Sequence, residues 1–567
     1  MKAHFELKNI IQDINGESYK SYKSIEGEFL FNDYILYVDH VQDDAFSSPS
    51  KMRVKIAQSA ALFPDDTYFN RSREVALRDF ITRRFYESIR TYSKADIELK
   101  ESGSISIENP GQEILERSTA FIDQSYVEIR FTLRLPYSGN NVEGNLAKDI
   151  LFNKLPKIIN NSLLFENLDK EALYQHIKTY EDADFLRNEL ENLRLIAFVA
   201  EGSILPRRSD GSTLPIEMDR AVPFVSPNNL KMDVELPNKG QITGMGLPRG
   251  ITLIVGEDGQ GKSTLLNALE LGIYNHIPGD GREYVVCNPN SVKIRAEKDR
   301  NIKNVDISAF VSTHSSGKNI HSFSSENAGD YVSQAANVIE AIEIGADVLL
   351  IDEDTSASNF LIPEQSSSEG NAEINETITP FVDQARNLYS GYMVSSILVI
   401  DGPGNYFDIA DFVIRMTNYE AQDITLETKK MADKNRIPRN DIYFGTIPER
   451  IPLVESLDPG NGIQSIEISP KAINYIEFGS SLIDLSFIEQ VVSINQMKAI
   501  CKAIMYSKKY MDGRKSFRQL TSLVMLDIGR SGLDVLNPSL SGEYAEFRKI
   551  ELAAVFNRIN SLKIEQK

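Results

Sequence analysis

Alternating apolar and polar positions in the first 200 residues predict strands, and one segment between them predicts a helix. Residues 33–39 and 126–135 alternate with the period of two that is typical of a half-buried β-strand. Residues 73–90 place apolar side chains at helical spacing and predict an amphipathic helix. Helical spacing also marks most of residues 150–200. These patterns together predict an N-terminal α+β domain over residues 1–200.

A different pattern, of short apolar runs, begins near residue 230. Strands are predicted around Val234, Thr243 and Leu253. Longer runs at residues 348–353 and 396–401 are apolar almost throughout, as expected for strands that a parallel sheet buries on both faces. These strands, with the helix described next, predict an α/β domain over residues 230–430.

One helix is expected immediately before the strand at residues 348–353. Its predicted range is 334–344, with Ser333 as the N-terminal cap and Gly345 as the C-terminal residue. The helix and the strand that follows it form one repeat of the α/β pattern.

Beyond about residue 430 the pattern becomes mainly helical. A capping-box sequence at residues 486–489 predicts the start of one helix. Apolar positions within residues 543–562 predict the last helix. The predicted organisation is an N-terminal α+β domain (1–200), a linker (201–229), an α/β domain (230–430) and a mainly helical C-terminal domain (431–567).

A glycine-rich loop follows the predicted strand around Leu253 and precedes a helix-like run. In this order the glycines let backbone N–H groups face an anion, and the helix N-terminus adds to the positive field. Lys262 is expected to reach the terminal phosphates of ATP, and the Ser263 hydroxyl is expected to ligate Mg²⁺. The loop residues expected to contact the nucleotide are Gly256, Glu257, Asp258, Gly259, Gln260, Gly261, Lys262, Ser263 and Thr264.

Two carboxylates, Asp352 and Glu353, end the apolar strand that begins near residue 348. Asp352 is expected to hold Mg²⁺, and Glu353 is expected to act as general base toward a water molecule. An acidic pair at the end of a strand is common at protein surfaces, but its combination with a phosphate loop favours the catalytic interpretation. Lys262 and Glu353 are therefore the predicted catalytic residues.

These motifs resemble those of ABC ATPases. Residues 256–264 resemble the family's usual loop, Gly-Pro-Asn-Gly-Ser-Gly-Lys-Ser-Thr, and residues 348–356 resemble its Leu-Leu-Asp-Glu-Pro-Thr-Ser segment. Asn359 stands where the family's D-loop has Asp. Longer phrases extend a specific resemblance to the "ATPase of the ABC class" family over nearly the whole chain. These phrases are residues 244–250, 274–283, 323–328 and 333–337.

The resemblance implies an ABC-type P-loop NTPase core, with ATP and Mg²⁺ as cofactors. It also implies a homodimer in which two nucleotides lie between protomers. Hydrolysis would then open the dimer and move the flanking domains. Some relatives are associated with RNA, which makes RNA a candidate partner.

The chain also departs from the ABC pattern. No Leu-Ser-Gly-Gly-Gln signature is present, and residues 327–334 occupy its place. Ser333 and Gln334 are the candidates there for a γ-phosphate contact across the dimer, although Ser333 is equally suited to capping its helix. Asp401 stands in place of the switch histidine, where it is expected to contact the nucleotide site and orient the attacking water.

Three groups of basic residues have two interpretations each. Arg207 and Arg208 either lie in a linker or approach an anion, and His276 and Arg282 either assist phosphate chemistry or belong to a tight turn. The arginines of the helix at residues 73–90 and just before it either pair with acids on a solvated face or contact nucleic-acid phosphates. They are Arg71, Arg73, Arg78, Arg83, Arg84 and Arg90.

Charge and composition limit the partners and the cellular location that we expect. A net charge of −20 argues against indiscriminate binding to nucleic acid, but it leaves room for a local basic groove that binds RNA or DNA. The two cysteines have no metal-ligand spacing, and no apolar run is long enough to cross a membrane. The N-terminus has no apolar signal-peptide core. We expect a soluble, cytoplasmic protein.

The function expected from these features is a Mg²⁺-dependent ATPase that couples hydrolysis to conformational change in a homodimer. The alternative is a nucleotide-gated scaffold or signalling module with slow hydrolysis and protein partners. A small-molecule kinase is a third interpretation. Asp352 and Glu353 next to a D-loop-like segment favour water as the acceptor over a small molecule.

Overall fold

The computed structural model describes residues 1–92, 102–217, 219–313, 317–362, 377–401, 406–434, 444–457 and 468–566. The chain forms two compact units. The first contains Met1–Glu181 and Ser531–Glu546, and the second contains Asp182–Arg530 and Phe547–Lys567. The division falls within helix Lys170–Asn192. The four-part organisation expected from the sequence stays a prediction.

The first unit is built on a seven-stranded sheet. The alternation in strand Ser50–Ala57 buries Met52, Val54 and Ile56 on one face. Both strands predicted from alternation are confirmed, at Ile35–His40 and Tyr126–Leu133, and each pairs antiparallel with Ser50–Ala57. The sheet order is Lys2–Ala3, Gly27–Leu30, Ile35–His40, Ser50–Ala57, Tyr126–Leu133 and Ile105–Ser106, and Ala120–Ile122 also pairs with Tyr126–Leu133.

Helices cover much of the remainder of this unit. They are His4–Asp13, Gln58–Ala61, Arg71–Tyr92, Gly144–Asp149 and Leu155–Leu163, with a π-helical segment at Ile150–Lys154. Helix Arg71–Tyr92 confirms the predicted amphipathic helix, and its apolar residues Val75, Leu77 and Phe85 are buried.

The arginines of helix Arg71–Tyr92 hold this unit together. Five of the six form ion pairs with acids of the same unit. Arg83 Nε lies 2.6 Å from Asp79 Oδ2, and Asp79 also faces His176 Nε2 at 3.1 Å. Burial raises the pKa of Asp79, but the charges of Arg83 and Arg117 outweigh burial and hold that pKa well below its usual range. These pairs favour a structural role over nucleic-acid contact.

We expect Asp79→Asn to lower the free energy of unfolding by about 3–5 kcal/mol, because Arg83 and Arg117 would lose a buried counter-charge. Denaturant titration of the full chain measures this change. Glu87→Gln, at the exposed pair with Arg84, is the matched control and should change stability by about 0.5 kcal/mol or less. Equal effects of the two substitutions would contradict a structural role for the buried cluster.

The second unit contains the predicted α/β fold. Its main sheet has six strands, and the three strands at its centre are buried along their whole length. Neighbours pair in parallel except for the last pair, which is antiparallel. The order is Ser291–Ile294, Val348–Asp352, Ser395–Ile400, Ile251–Val255, Phe412–Thr417 and Glu420–Asp423. The continuous apolar runs near residues 348 and 396 therefore form the centre of a parallel sheet, as predicted.

Smaller sheets complete the second unit. A four-stranded antiparallel sheet has the order Lys231–Leu236, Gly240–Pro248, Leu195–Ala200 and Val285–Cys287. A three-stranded sheet in the C-terminal part contains Ile468–Ala472, Tyr475–Phe478 and Ser481–Asp484. Two-stranded pairs join Arg300–Val305 to Phe323–Ala328, Val311–Thr313 to Thr377–Ile378, and Arg450–Pro452 to Ile564–Gln566.

The helices of the second unit are Lys262–Leu271, Asp330–Ile344, Phe381–Tyr392, Thr425–Lys434, Ile494–Ser507, Phe517–Ser531 and Lys549–Asn557. Within the residue ranges described above, no helix is long and apolar enough to span a lipid bilayer.

The predicted cap of the helix before strand Val348–Asp352 is wrong. The helix begins at Asp330 after Gly329, so Ser333 lies inside its first turn. The Ser333 hydroxyl donates to the Asp330 carbonyl at 2.8 Å. The C-terminal end at Gly345, with φ of 95°, is as predicted.

Two helix starts in the C-terminal part are also wrong. Ser486 lies in a turn, where its backbone N–H bonds Asp484 Oδ1 at 2.8 Å, and the helix instead begins after Ser493, which forms a capping box with Gln496. The last helix is limited to Lys549–Asn557. Residues 544–546 run instead beside residues 116–118, with backbone hydrogen bonds of 2.8–2.9 Å.

Candidate active site

The parallel sheet brings the predicted site residues to one edge. Val255, which precedes the phosphate loop, lies opposite Ile400 in the neighbouring strand, and Asp352 lies opposite Val399 in the same strand. Because parallel strands share a direction, the segments that follow all three strands meet at the carboxyl edge of the sheet. The phosphate loop, the Asp352–Glu353 pair and Asp401 therefore converge.

Backbone geometry explains the glycines of the loop. Gly256 has φ of 150°, and a Cβ there would lie 2.5 Å from the Met416 carbonyl oxygen. Gly261 has φ of 101°, and a Cβ there would lie 2.7 Å from Tyr419 Cδ1. Gly261 also caps helix Lys262–Leu271, whose first turn contains Ser263 and Thr264. Only glycine fits these two positions, so the loop is built to curl tightly before a helix N-terminus.

The loop is braced by the turn at residues 418–419. The Gln260 carbonyl accepts the Tyr419 N–H at 3.0 Å, and Gln260 Oε1 accepts the Asn418 N–H at 2.5 Å. Gln260 therefore joins the loop to this turn through both its backbone and its side chain. Glu257, Asp258 and Gly259, at the tip of the loop, are exposed.

Lys262 is almost fully buried, with 5% of its side chain exposed. Its Nζ donates to the carbonyl oxygens of Gly256 at 2.8 Å and Glu257 at 3.0 Å. The same Nζ lies 2.6 Å from Asp401 Oδ1. Asp401 thus supplies an anionic oxygen to the lysine expected to bind phosphate.

Asp401 also contacts the predicted general base. Its backbone N–H donates to Glu353 Oε2 at 2.6 Å. Burial and the charges of Asp401, Asp354 and Asp352 raise the pKa of Glu353, and these effects outweigh the opposing hydrogen bond from Asp401. Burial and neighbouring carboxylates also raise the pKa of Asp354. A carboxylate with a raised pKa accepts a proton more readily near neutral pH.

The donor chemistry of this edge fits Mg²⁺. Ser263 offers a hydroxyl and Asp352 a buried carboxylate, both of them hard oxygen donors. Within the described part of the chain, no group of three or more His, Cys, Asp or Glu residues forms a metal site.

Comparisons with known protein families match nearly the whole chain in three parts. The P-loop domain model ABC_ATPase matches residues 169–446, and the model of the N-terminal domain of ATPases of the ABC class matches residues 4–166. The chain belongs to the ABC-class ATPase family. A third model, the MRB1590 C-terminal domain, matches residues 467–565 of this ABC-class ATPase.

Two archaeal relatives cover less of the chain. An uncharacterized protein of Methanocaldococcus jannaschii is 29% identical over 199 residues, which are 34% of this chain and 44% of that protein. A Sulfurisphaera tokodaii protein called "Putative ABC transporter ATP-binding protein" is 30% identical over 191 residues, 32% of this chain and 35% of its own. The aligned regions span less than half of either relative.

One solved structure found by comparison is a bacterial Atm1-family ABC exporter with ATP bound. It shares 11% sequence identity, covers 52% of this chain and 53% of its own, and has a TM-score of 0.24. A TM-score this low does not establish a shared fold.

In this ABC-class ATPase, Ser333 and Gln334 form hydrogen bonds within the chain. Both are fully buried. Ser333 Oγ accepts the Glu297 N–H at 2.9 Å. Gln334 Nε2 donates to Ser356 Oγ at 2.9 Å, and its Oε1 accepts the Ala357 N–H at 2.8 Å. A nucleotide contact across a dimer would require both side chains to leave these bonds, and that role stays a prediction.

Gln334 instead stabilises the segment that follows the acidic pair. Ser356 Oγ donates to the Asp352 carbonyl at 2.8 Å. Asn359, in the position resembling a D-loop, has a left-handed φ of 64°. Gln334 therefore joins the helix at Asp330–Ile344 to residues 356 and 357, and Ser356 in turn bonds the end of the Asp352 strand.

A cleft of about 340 Å³ opens beside the phosphate loop. Its lining includes Gly261 and Thr264, together with Tyr419. Arg207 and Arg220, from the segment expected to be a linker, also line it. Tyr419 was not identified from the sequence, because its link to Gly261 joins residues that are far apart in the chain. The left-handed pair Asn418 and Tyr419, with φ of 50° and 67°, leaves only a weak turn signal.

The segment at residues 274–283 contacts residues that line this cleft. Arg282 is buried, and its Nε donates to the Leu205 carbonyl at 2.8 Å. His276 is buried, and its Nδ1 faces Asp280 Oδ2 at 2.9 Å. These contacts favour a structural role for Arg282 and His276 over direct phosphate chemistry.

Proposed function

We propose that this ABC-class ATPase binds Mg²⁺-ATP at the loop of residues 256–264 and hydrolyses it. The observation that carries the proposal is the convergence of Lys262, Asp401 and Glu353. Asp401 contacts the lysine through its carboxylate and the glutamate through its backbone N–H. One residue therefore joins the expected phosphate ligand to the expected base.

The proposed chemistry assigns one task to each residue. Lys262 binds the terminal phosphates, and Ser263 and Asp352 hold Mg²⁺, which would neutralise charge that develops on the phosphoryl oxygens. Glu353 takes a proton from water while the water oxygen forms a bond to the γ-phosphorus. The bond between that phosphorus and the bridging oxygen breaks, and the electron pair leaves with ADP. Asp401 orients the attacking water.

Homodimerisation and action on RNA or other nucleic acid are further parts of this proposal. The helix Arg71–Tyr92 does not support the second part, since its arginines are paired with acids. Another basic stretch, residues 498–518, contains seven Lys or Arg and one Asp, and two of its lysines, Lys509 and Lys515, pair with Asp527 and Asp512. This excess of six positive charges contrasts with the net charge of −20 for the chain.

A nucleotide-gated scaffold is the second candidate function. Two observations favour it. Asp401 Oδ1 lies 2.6 Å from Lys262 Nζ and can neutralise its charge, and Ser333 and Gln334 are fully buried. Both features suit a protein in which ATP binding changes the conformation and turnover is slow.

Phosphate release and ATP binding should be measured for wild type and Lys262→Ala, with and without single-stranded and duplex RNA and DNA. We expect Lys262→Ala to lose ATP binding, whereas Lys471→Ala, at an exposed pair with Glu477, should behave as wild type. Turnover stimulated by one polymer supports the nucleic-acid proposal. Tight binding with negligible, unstimulated turnover supports the scaffold, and ATP binding that survives Lys262→Ala would overturn the site.

Light scattering with and without ATP tests the homodimer. We expect the mass to double when ATP is bound, because the resemblance places nucleotides between protomers. A monomer at saturating ATP would contradict this part of the proposal alone.

A further inference from the structure

The cleft beside the phosphate loop has the size and position of a second part of the nucleotide site. Its volume of about 340 Å³ lies in the range of small-molecule pockets. Gly261 and Thr264 belong to both the loop and the cleft wall. A ligand whose phosphates lie in the loop would therefore have the cleft directly beside it.

The side chains of the cleft select the chemistry of that ligand. Arg207 and Arg220 offer only hydrogen-bond donors. Tyr419 and Phe224 offer aromatic surface, and no carboxylate is among the described lining residues. Guanidinium groups next to aromatic rings suit a flat base attached to a sugar and phosphate, both of which carry oxygen acceptors.

Arg207 is held in place before any ligand arrives. Its Nη1 donates to the Asp280 carbonyl at 2.9 Å, and its Nη2 donates to Asp280 Oδ2 at 2.6 Å. Asp280 is fully buried and also faces His276 Nδ1 at 2.9 Å. Burial raises the pKa of Asp280, but His276 and Arg207 outweigh burial and lower it, so the carboxylate stays ionised.

The backbone around Arg207 is fixed by the same segment. The Ile204 N–H donates to the Gly281 carbonyl at 2.8 Å. Gly281 has φ of 82°, and a Cβ there would lie 2.7 Å from Ile204 Cβ. A guanidinium fixed in this way loses little conformational entropy when it binds a ligand.

We propose that the cleft holds the nucleoside of the bound triphosphate and that Arg207 is a specificity-determining ligand for its sugar oxygens. Asp280 and His276 are the positioning residues for Arg207. This inference rests on the proposed function, since it requires the triphosphate to occupy the loop of residues 256–264. It assigns a common role to Arg207, in the loop at residues 202–211, and to Asp280 and His276, in the segment at residues 274–283.

Binding of ATP and of inorganic tripolyphosphate to the full chain separates the cleft from the loop. We expect Arg207→Ala to weaken ATP binding about 10- to 100-fold, because a hydrogen bond to a charged group is lost. Tripolyphosphate has no nucleoside, and its affinity should change less than about threefold. Arg207→Lys should give an intermediate loss, since it keeps the charge but not the planar fork.

Arg208→Ala is the matched control. Arg208 is adjacent in the chain but 41% exposed, and it pairs with Glu217 at 3.3 Å. It should bind both ligands as wild type does. If wild type binds ATP and Arg207→Ala binds it equally well, the inference fails while the proposed function stands. If wild type binds neither ATP nor tripolyphosphate, both fail.

A double-mutant cycle tests the positioning role of Asp280. Asp280→Asn should weaken ATP binding but not tripolyphosphate binding, and it should add almost nothing in the Arg207→Ala background. Additive losses, or an equal loss of both ligands, would show that Asp280 acts on the fold and not through Arg207.

Discussion

Replacing Glu353 by glutamine is expected to slow phosphate release from ATP by about 10²- to 10⁴-fold, the usual contribution of a general base. Glutamine has nearly the same shape but cannot accept the proton of the attacking water. Its side-chain oxygen can still accept the Asp401 N–H, which bonds Glu353 Oε2 at 2.6 Å in wild type. ATP affinity should therefore change little. Single-turnover phosphate release and equilibrium ATP binding measure the two quantities separately.

The pH dependence of the rate is a second test of Glu353 as the general base. The pKa of Glu353 is raised, and only the ionised form acts as a base. The rate should therefore fall as pH decreases through a value above the ordinary 4.5 of glutamate, and this acid limb should disappear in Glu353→Gln. Asp354→Asn is the control. It should retain turnover and move the acid limb to lower pH, because it removes one charge that raises the pKa of Glu353.

Wild-type turnover in Glu353→Gln would eliminate this residue as the base. An acid limb that persists unchanged in the variant would assign the titration to another group.

The parts of the site that the sequence predicts are those fixed by local structure. Gly256 and Gly261 are required by the backbone of a strand–loop–helix turn, and Asp352 ends an apolar strand. Such features depend on a few consecutive residues. The parallel sheet follows from the same apolar runs, because full burial on both faces leaves no polar alternation.

The cleft could not be predicted in the same way. Arg207, Asp280 and Tyr419 are far apart in the sequence, and only the folded chain places Arg207 against Asp280 and both Arg207 and Tyr419 on one cleft. The ion pair between Lys262 and Asp401 is equally non-local, although Asp401 itself was expected near the site.

Errors at helix starts have a common cause. Ser333 and Ser486 both have the side chain of a capping residue, but each bonds a neighbour in another local structure. Ser333 lies inside a helix, and Ser486 lies in a turn with Asp484. The same short hydroxyl side chain stabilises helix caps, helix first turns and strand-end turns, so its presence alone does not fix a boundary.

Replacing Asp401 by asparagine is expected to tighten ATP binding while slowing hydrolysis. The carboxylate lies 2.6 Å from Lys262 Nζ, where an ATP phosphate is expected to bind. ATP must therefore compete with this oxygen for the lysine. Removing the negative charge removes both the competitor and its repulsion of the phosphates, and we expect ATP affinity to rise about tenfold, equivalent to about 1.4 kcal/mol. The rate should fall, because the variant lacks the carboxylate proposed to orient water.

The matched control is Asp258→Asn. Asp258 Oδ1 lies 3.7 Å from the same Nζ, but 92% of its side chain is exposed, so solvent screens its charge. The loop is expected to contact the phosphates through backbone N–H groups, which the substitution keeps, so its effect on ATP affinity should be less than about twofold. Titration at two salt concentrations adds a second test, since a charge effect at partly exposed Asp401 should shrink as salt increases. Weaker ATP binding in Asp401→Asn would show instead that Asp401 holds Lys262 in its binding position, and the pair would then be a support for the phosphate site and not a competitor.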